Sequence, residues 1–163
     1  MFSKERREAF ASLSKRLKKS SKSFIRPPYG VSEDLFHKCC LDCEKKQCVG
    51  ICEEDIIKLD ERGVPYLYFK ESGCTFCKEC ARVCPTDALS LENKESIVAK
   101  FSINVRRCYA WNGTMCFSCK DACIYDAIEF FGVFRPKIDS SKCVSCGFCY
   151  GVCPASAVDI LHS

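Results

Sequence analysis

Two runs of cysteine in this chain have a spacing that specifies chemistry. Cys74-x2-Cys77-x2-Cys80-x3-Cys84-Pro85 and Cys143-x2-Cys146-x2-Cys149-x3-Cys153-Pro154 each place three thiols two residues apart, a fourth three residues on, and a proline directly after. This is the ligand run of [4Fe–4S] clusters. Three closely spaced cysteines curl a loop around one cubane and turn backbone N–H groups toward its sulfurs. The fourth, beyond a turn, reaches the neighbouring cluster, and proline closes the loop at a position that needs no N–H. The chemistry implied is one-electron transfer or cluster handling. The zinc alternative calls for two cysteine pairs far apart in sequence around one tetrahedral ion, and three evenly close thiols would crowd such a site.

Two further quartets are variants of the same sentence. Cys40-x2-Cys43-x4-Cys48-x3-Cys52 has two extra residues within its loop. Cys108-x7-Cys116-x2-Cys119-x3-Cys123 has a longer insertion, Tyr109–Met115, which contains the only tryptophan, Trp111. Longer loops alter solvent access and hydrogen bonding to sulfur, both of which tune a cluster's potential. Sixteen of the 17 cysteines fill the four quartets. The remaining one is Cys39 or Cys40. Cys40 restores the two-residue gap to Cys43, leaving Cys39 as a spare thiol.

The elements that must position these thiols follow from a repeat. The quartets open at Cys40, Cys74, Cys108 and Cys143, a period of 34, 34 and 35 residues. After each last cysteine come three residues, then a small or apolar pair: Ile56-Ile57, Ala88-Leu89, Ala127-Ile128 and Ala157-Val158. Between quartets, short strands are expected at Ile56–Leu59 and Tyr66–Phe69, at Leu89–Leu91 and Ile97–Ile103, and at Ile128–Phe131 and Val133–Arg135. A short helix is expected to carry each last cysteine. The fold class is α+β: tandem bacterial-ferredoxin-like modules, each built for two [4Fe–4S] clusters, behind a basic N-terminal tail. Boundaries fall at 1–28 for the tail, 29–96 for the module with quartets one and two, and 97–163 for the module with quartets three and four. Units this small need a staple, which metal binding supplies. If sequential quartets pair, Cys84 completes the set of Cys40, Cys43 and Cys48, and Cys52 that of Cys74, Cys77 and Cys80. Cys153 then joins Cys108, Cys116 and Cys119, and Cys123 joins Cys143, Cys146 and Cys149. A nested pairing of outer with inner quartets fits the period equally well, and short connections favour the sequential one.

Charge is uneven. Residues 1–26 carry nine Lys and Arg against two acids, a net of +7, which leaves −3 for the rest. Each cluster with four thiolates adds about −2, so the loaded body is acidic. Arg6-Arg7 ahead of Phe10 looks like a twin-arginine export signal, but residues 11–19 are too charged for the apolar stretch that such a signal requires. No run approaches the length of a membrane span. These features point to a cytoplasmic protein, where dense cysteine means metal and not disulfides. Phe10, Leu13 and Leu17 have helical spacing. They read either as an amphipathic helix for an acidic partner or the inner-membrane surface, or as a disordered solubilising tail. His37 and His162 read as surface residues. No nucleophile triad, phosphate loop or dinucleotide fingerprint is present, so neither an independent enzyme nor nucleic-acid recognition is indicated.

The order of the quartets, the Arg6-Arg7 pair, the basic tail, the Ile25-Arg26-Pro27-Pro28-Tyr29 joint and the x7-x2-x3 spacing of the third quartet followed by Ala127-Ile128 resemble the ferredoxin-type NapF family of periplasmic nitrate reductase systems. The first quartet departs from that family's expected x2-x2-x3 pattern. The resemblance implies four [4Fe–4S] clusters in a cytoplasmic accessory protein. Its partner would be the molybdenum-containing catalytic subunit, met as a precursor before export, and its role assistance in maturation. Two other readings fit the quartets: an electron-relay subunit of a membrane-linked oxidoreductase, and a free polyferredoxin.

Overall fold

The computed structural model describes residues 24–161. The tail stripe of Phe10, Leu13 and Leu17, and His162, lie outside them. The elements are α1 (Glu33–Cys40), α2 (Gln47–Gly50), β1 (Ile57–Leu59), β2 (Pro65–Leu67), α3 (Glu79–Arg82), β3 (Lys100–Ile103), a 3-10 turn (Ala110–Asn112), α4 (Ser118–Asp121), β4 (Ile128–Phe130), β5 (Pro136–Ile138), α5 (Phe148–Gly151) and β6 (Val158–Leu161). No helix is long and apolar enough to cross a membrane, among the described residues.

One plan is used twice. In the first unit β1 and β2 form an antiparallel hairpin that pairs Ile57 with Leu67 and Leu59 with Pro65. In the second, β4 and β5 pair Ile128 with Ile138 and Phe130 with Pro136. Both second strands begin on proline, which can occupy the first strand position because no ladder N–H is needed there. Around each hairpin, incoming chain meets outgoing chain. In the second unit this is a full ladder, β3 with β6, from Lys100↔Leu161 to Ile103↔Val158. In the first it shrinks to one bridge, Gly30↔Leu89, flanked by Val31 N–H to the Ala88 carbonyl and Ser90 N–H to the Tyr29 carbonyl.

Four expected strands differ. Tyr66–Phe69 is observed as Pro65–Leu67, ending two residues sooner because β1, its partner, begins only at Ile57. Leu89–Leu91 is reduced to that single bridge, because its partner is the chain at Gly30 and not residues 97–103. The strand expected from Ile97 starts only at Lys100. A tight turn from the Ala99 N–H to the Ile97 carbonyl, with the Ser145 hydroxyl on the Ala99 carbonyl, occupies the backbone before it. The strand expected at Val133–Arg135 is Pro136–Ile138, since Phe131 N–H bonds the Arg135 carbonyl and closes a longer turn over Gly132.

The first helix has a legible start. Ser32 Oγ accepts the Leu35 N–H, Glu33 and Asp34 occupy the first turn, and His37 and Lys38 the last, which suits the helix dipole. His37 bonds Glu33 on the surface. Ahead of α1, the Arg26–Tyr29 joint is packed down: Ile25 is buried, its carbonyl accepts the Leu67 N–H, and Arg26 holds Glu33 and the Pro65 carbonyl. The apolar pairs after each last cysteine are the core of the repeat. Ile56, Ile57, Ala88, Leu89, Ala127, Ile128, Ala157 and Val158 are all buried. The larger of two apolar clusters spans both units, from Ile25, Tyr29 and Phe36 through Phe69 to Phe101, Cys146 and Val158.

Candidate metal centres

Each quartet is positioned by the same device. A single-turn helix carries the third cysteine: Cys48 in α2, Cys80 in α3, Cys119 in α4 and Cys149 in α5. The expectation that these helices carry the last cysteine is corrected. Cys52, Cys84, Cys123 and Cys153 each follow the C-cap residue, with their N–H groups bonded back to Val49, Ala81, Lys120 and Tyr150 carbonyls. Leaving the helix there lets the last thiol turn away from its own loop.

The wrapping of the loops is written in the backbone. In the second quartet Phe76 and Lys78, on either side of Cys77, have φ of 55° and 72°. In the fourth, Ser145 and Gly147 flank Cys146 with φ of 60° and 89°. Left-handed backbone is costly for a bulky residue such as Phe76 and persists where the surroundings enforce it. Its effect here is to turn successive N–H groups inward. Burial raises the Cys74 and Cys146 thiols, and the N–H groups of Phe76 and Phe148 act against that rise. Farther on, Ala127 and Ala157 donate N–H to the sulfurs of Cys123 and Cys153 at 3.3 and 3.2 Å. Cys84 differs, facing the Thr86 carbonyl and hydroxyl.

The thiols gather into four sets, and the sets follow the sequential pairing. One cavity is lined by Cys52, Cys74, Cys77 and Cys80. A second is lined by Cys123, Cys143, Cys146 and Cys149. A third is lined by Cys108, Cys116, Cys119 and Cys153. In the remaining set Cys40 has Cys48, Cys84 and Cys43 as its electrostatic neighbours. In every set three thiols come from one loop and the fourth from the paired quartet. Among the described residues, no group of three His, Cys, Asp or Glu side chains converges on one point as a mononuclear ion requires. Four thiols around a cavity suit a cubane, whose irons occupy separate corners.

Burial pushes the Cys74, Cys80 and Cys149 thiols up to about 12, with thiols of their own sets adding to it. Burial likewise raises Cys40 and Cys119 to about 11. Thiols so placed ionise in exchange for a metal, releasing protons as it binds. Cys40 is buried at the end of α1, and its carbonyl takes the Cys43 N–H and the Lys46 ammonium. Cys39 is partly buried against the core.

Three positioning residues carry no motif. Asn112, in the 3-10 turn, donates to the carbonyls of Cys108 at 2.7 Å, Val105 at 3.2 Å and Arg106 at 3.3 Å, and so staples the long loop of the third quartet. Trp111 anchors the same loop by donating Nε1–H to the Pro136 carbonyl at 3.0 Å. Tyr29 is buried and donates its hydroxyl to the Phe76 carbonyl, bracing the second loop; burial raises its phenol far above the ordinary value. The positive φ at Tyr29 and the Gly30 bridge beside it carry no signature that sequence could have shown.

Comparison with known proteins gives the family. The 4Fe-4S dicluster domain is matched twice, by residues 39–88 and 112–157. The second stretch begins beyond Cys108, which only the fold brings to Cys119 and Cys153. The chain is 33% identical over 145 residues to the ferredoxin-type protein NapF of Escherichia coli K12, covering 85% of this chain and 87% of the relative. The chain belongs to the ferredoxin-type NapF family. It also has likeness to longer ferredoxin-type proteins. It is 30% identical to NapG of the same organism over 79% of this chain and 65% of the relative. Against the methylamine utilization ferredoxin-type protein MauM of Methylophilus methylotrophus it is 33% identical, over 85% of this chain and 70% of the relative. Membership of the NapF family and the tandem dicluster match make this an iron–sulfur protein of the [4Fe–4S] type.

Proposed function

We propose that the chain is a four-cluster [4Fe–4S] accessory protein that works in the cytoplasm on the molybdenum-containing catalytic subunit of periplasmic nitrate reductase. It meets that subunit as a precursor and assists its maturation by supplying electrons or clusters; it is not itself an enzyme. The observation that carries this reading is the match to NapF along nearly the whole of both chains. The sets of Cys40, Cys43, Cys48 and Cys84; Cys52, Cys74, Cys77 and Cys80; Cys108, Cys116, Cys119 and Cys153; and Cys123, Cys143, Cys146 and Cys149 would each hold one cluster. Such clusters supply one-electron exchange when bound. The residues of this chain exclude water from them, through the buried pairs that follow each last cysteine, and aim N–H groups at their sulfurs. The basic tail contributes a second contact, with the acidic partner or the membrane surface at which export begins.

An anaerobic pull-down of tagged protein from nitrate-respiring cells tests the role. Recovery of the nitrate reductase precursor, weakened when residues 1–23 are removed, is the expected result. Recovery of a quinone-linked membrane subunit without the precursor would replace maturation with an electron relay. Recovery of several unrelated redox enzymes would make the chain a general polyferredoxin.

A further inference from the structure

We infer that the four cluster sites form a single row in the order first quartet, second, fourth, third, joined across the two units where Cys74 donates its N–H to the Cys146 carbonyl at 2.7 Å. This rests on the four-cluster reading above and concerns how the sites are connected. Chain order would place the third quartet beside the second, and the fold does not.

Within each unit the third-cysteine helices pack against each other, α2 on α3 and α4 on α5. That sets the first site beside the second and the third beside the fourth. The contacts between the units gather on the second and fourth sites, through Cys74, Cys146 and the glycines beside them, which leaves the first and third sites at the ends.

Between the units the seam is built for close approach. Three glycines line it, and a Cβ on any of them would collide with chain of the opposite unit. Gly73 lies against the Phe148 backbone and ring and Gly147 under the Phe69 ring, and a Cβ on Gly151 would stand 2.7 Å from the Lys70 carbonyl oxygen. By contrast, Gly50, Gly113 and Gly132 have open space where a Cβ would stand. The seam is roofed by aromatic rings from both sides: Phe69 meets Phe101 edge-on at 5.6 Å, and Phe101 meets Tyr150 at 6.5 Å. The ligand loops of the second and fourth sites thus touch directly, backbone to backbone, behind an apolar cover. An electron crossing this seam oxidises one cluster by one unit and reduces its neighbour by one. No bond forms or breaks, and no proton moves.

The test is electron paramagnetic resonance on the full-length protein, purified anaerobically and reduced with dithionite or a stronger photochemical reductant. Iron is measured first, and about sixteen per chain is expected from four clusters of four irons each. A lower count at full folding would overturn the four-cluster reading and the row with it. With the iron present, pulsed dipolar measurements on the fully reduced protein should show spin interaction across the units as well as within them. A spectrum of two mutually independent cluster pairs would overturn the row while leaving the four-cluster reading intact. Cys43→Ser combined with Cys116→Ser removes an end ligand at each terminal site. The two remaining clusters should still interact, and two isolated signals would overturn the assignment. Should that variant fail to load, the wild-type spectrum alone decides between one row and two pairs.

Discussion

Cys77 and Cys39 show how position separates two thiols of the same chemistry. Cys77 sits between two left-handed residues in a loop that lines a cavity with three other thiols, whereas Cys39 lies against the core one residue before the helix ends its turn at Cys40. Cys77→Ala is expected to lower iron by about a quarter, one cluster of four, and to destabilise the first unit. Cys39→Ala should leave iron unchanged. Iron and labile sulfide assays decide it, and equal loss in both variants would reverse the assignment. Asp60 is the second residue whose setting dictates its effect. It is buried at the β1–β2 turn, where burial opposes its charge but the Val64 and Arg62 N–H groups and the nearby Arg26 guanidinium outweigh that and hold its carboxyl below the ordinary range. A depressed carboxyl contributes stability above its unfolded value and loses it as pH falls through the folded one. Asp60→Asn should therefore cost about 1–3 kcal/mol at neutral pH, read as a lower denaturant midpoint. The difference from wild type should shrink below about pH 4. A difference that stays constant into acid would show that the charge is not the source.

At the scale of elements, the third quartet makes the sharpest case. Its x7 loop would be entropically loose were it not fastened by Asn112 to three carbonyls and by Trp111 to Pro136. Asn112→Ala leaves those acceptors with one partner fewer, at about 1–3 kcal/mol. The protein should still be purified with its full iron. It should then lose one cluster to a ferrous chelator on the order of tenfold faster, since 1.4 kcal/mol is a factor of ten. Uniform release from all sites at the wild-type rate would refute the staple. Sequence showed the quartets, a hairpin of Ile56–Leu59 with Tyr66–Phe69 that forms with shifted ends, and the buried pairs, because each recurs with the period and each is dictated by local chemistry. It misplaced what depends on partners remote in the chain. Leu89–Leu91 could not become a full strand once its partner was Gly30, and Val133–Arg135 yielded to Pro136–Ile138 when the Phe131–Arg135 turn lengthened. The single-turn helices were expected one cysteine too late, because the apolar pattern reports which residues are buried but not where a four-residue helix stops. The seam glycines were silent for the same reason: Gly147 repeats the backbone of Lys78, and only Phe69 lying over it explains why no side chain is present.

Across the whole molecule, the stability question turns on how little apolar material surrounds so many thiols. Among the described residues the strands are three or four residues long, four of the five α-helices are single turns, and the larger core cluster is threaded with cysteines from both units. Isolated hairpins and four-residue helices are not stable in water. The buried thiols also resist ionising without a cation beside them. Metal binding must therefore supply a large part of the folding free energy. Anaerobic removal of iron with a chelator under reducing conditions should abolish the cooperative thermal transition and expose all 17 cysteines to alkylation. Because the core cluster is continuous through Phe69, Phe101, Cys146 and Val158, loss should not stop at one unit. Partial removal should give a mixture of loaded and collapsed molecules, separable by native mass spectrometry. Two independent modules would instead give a stable species with one unit intact and one unfolded. Finding that species as the main product would show that the shared core contributes little beyond each pair of clusters. Its absence would make the seam, and not the module, the unit of stability.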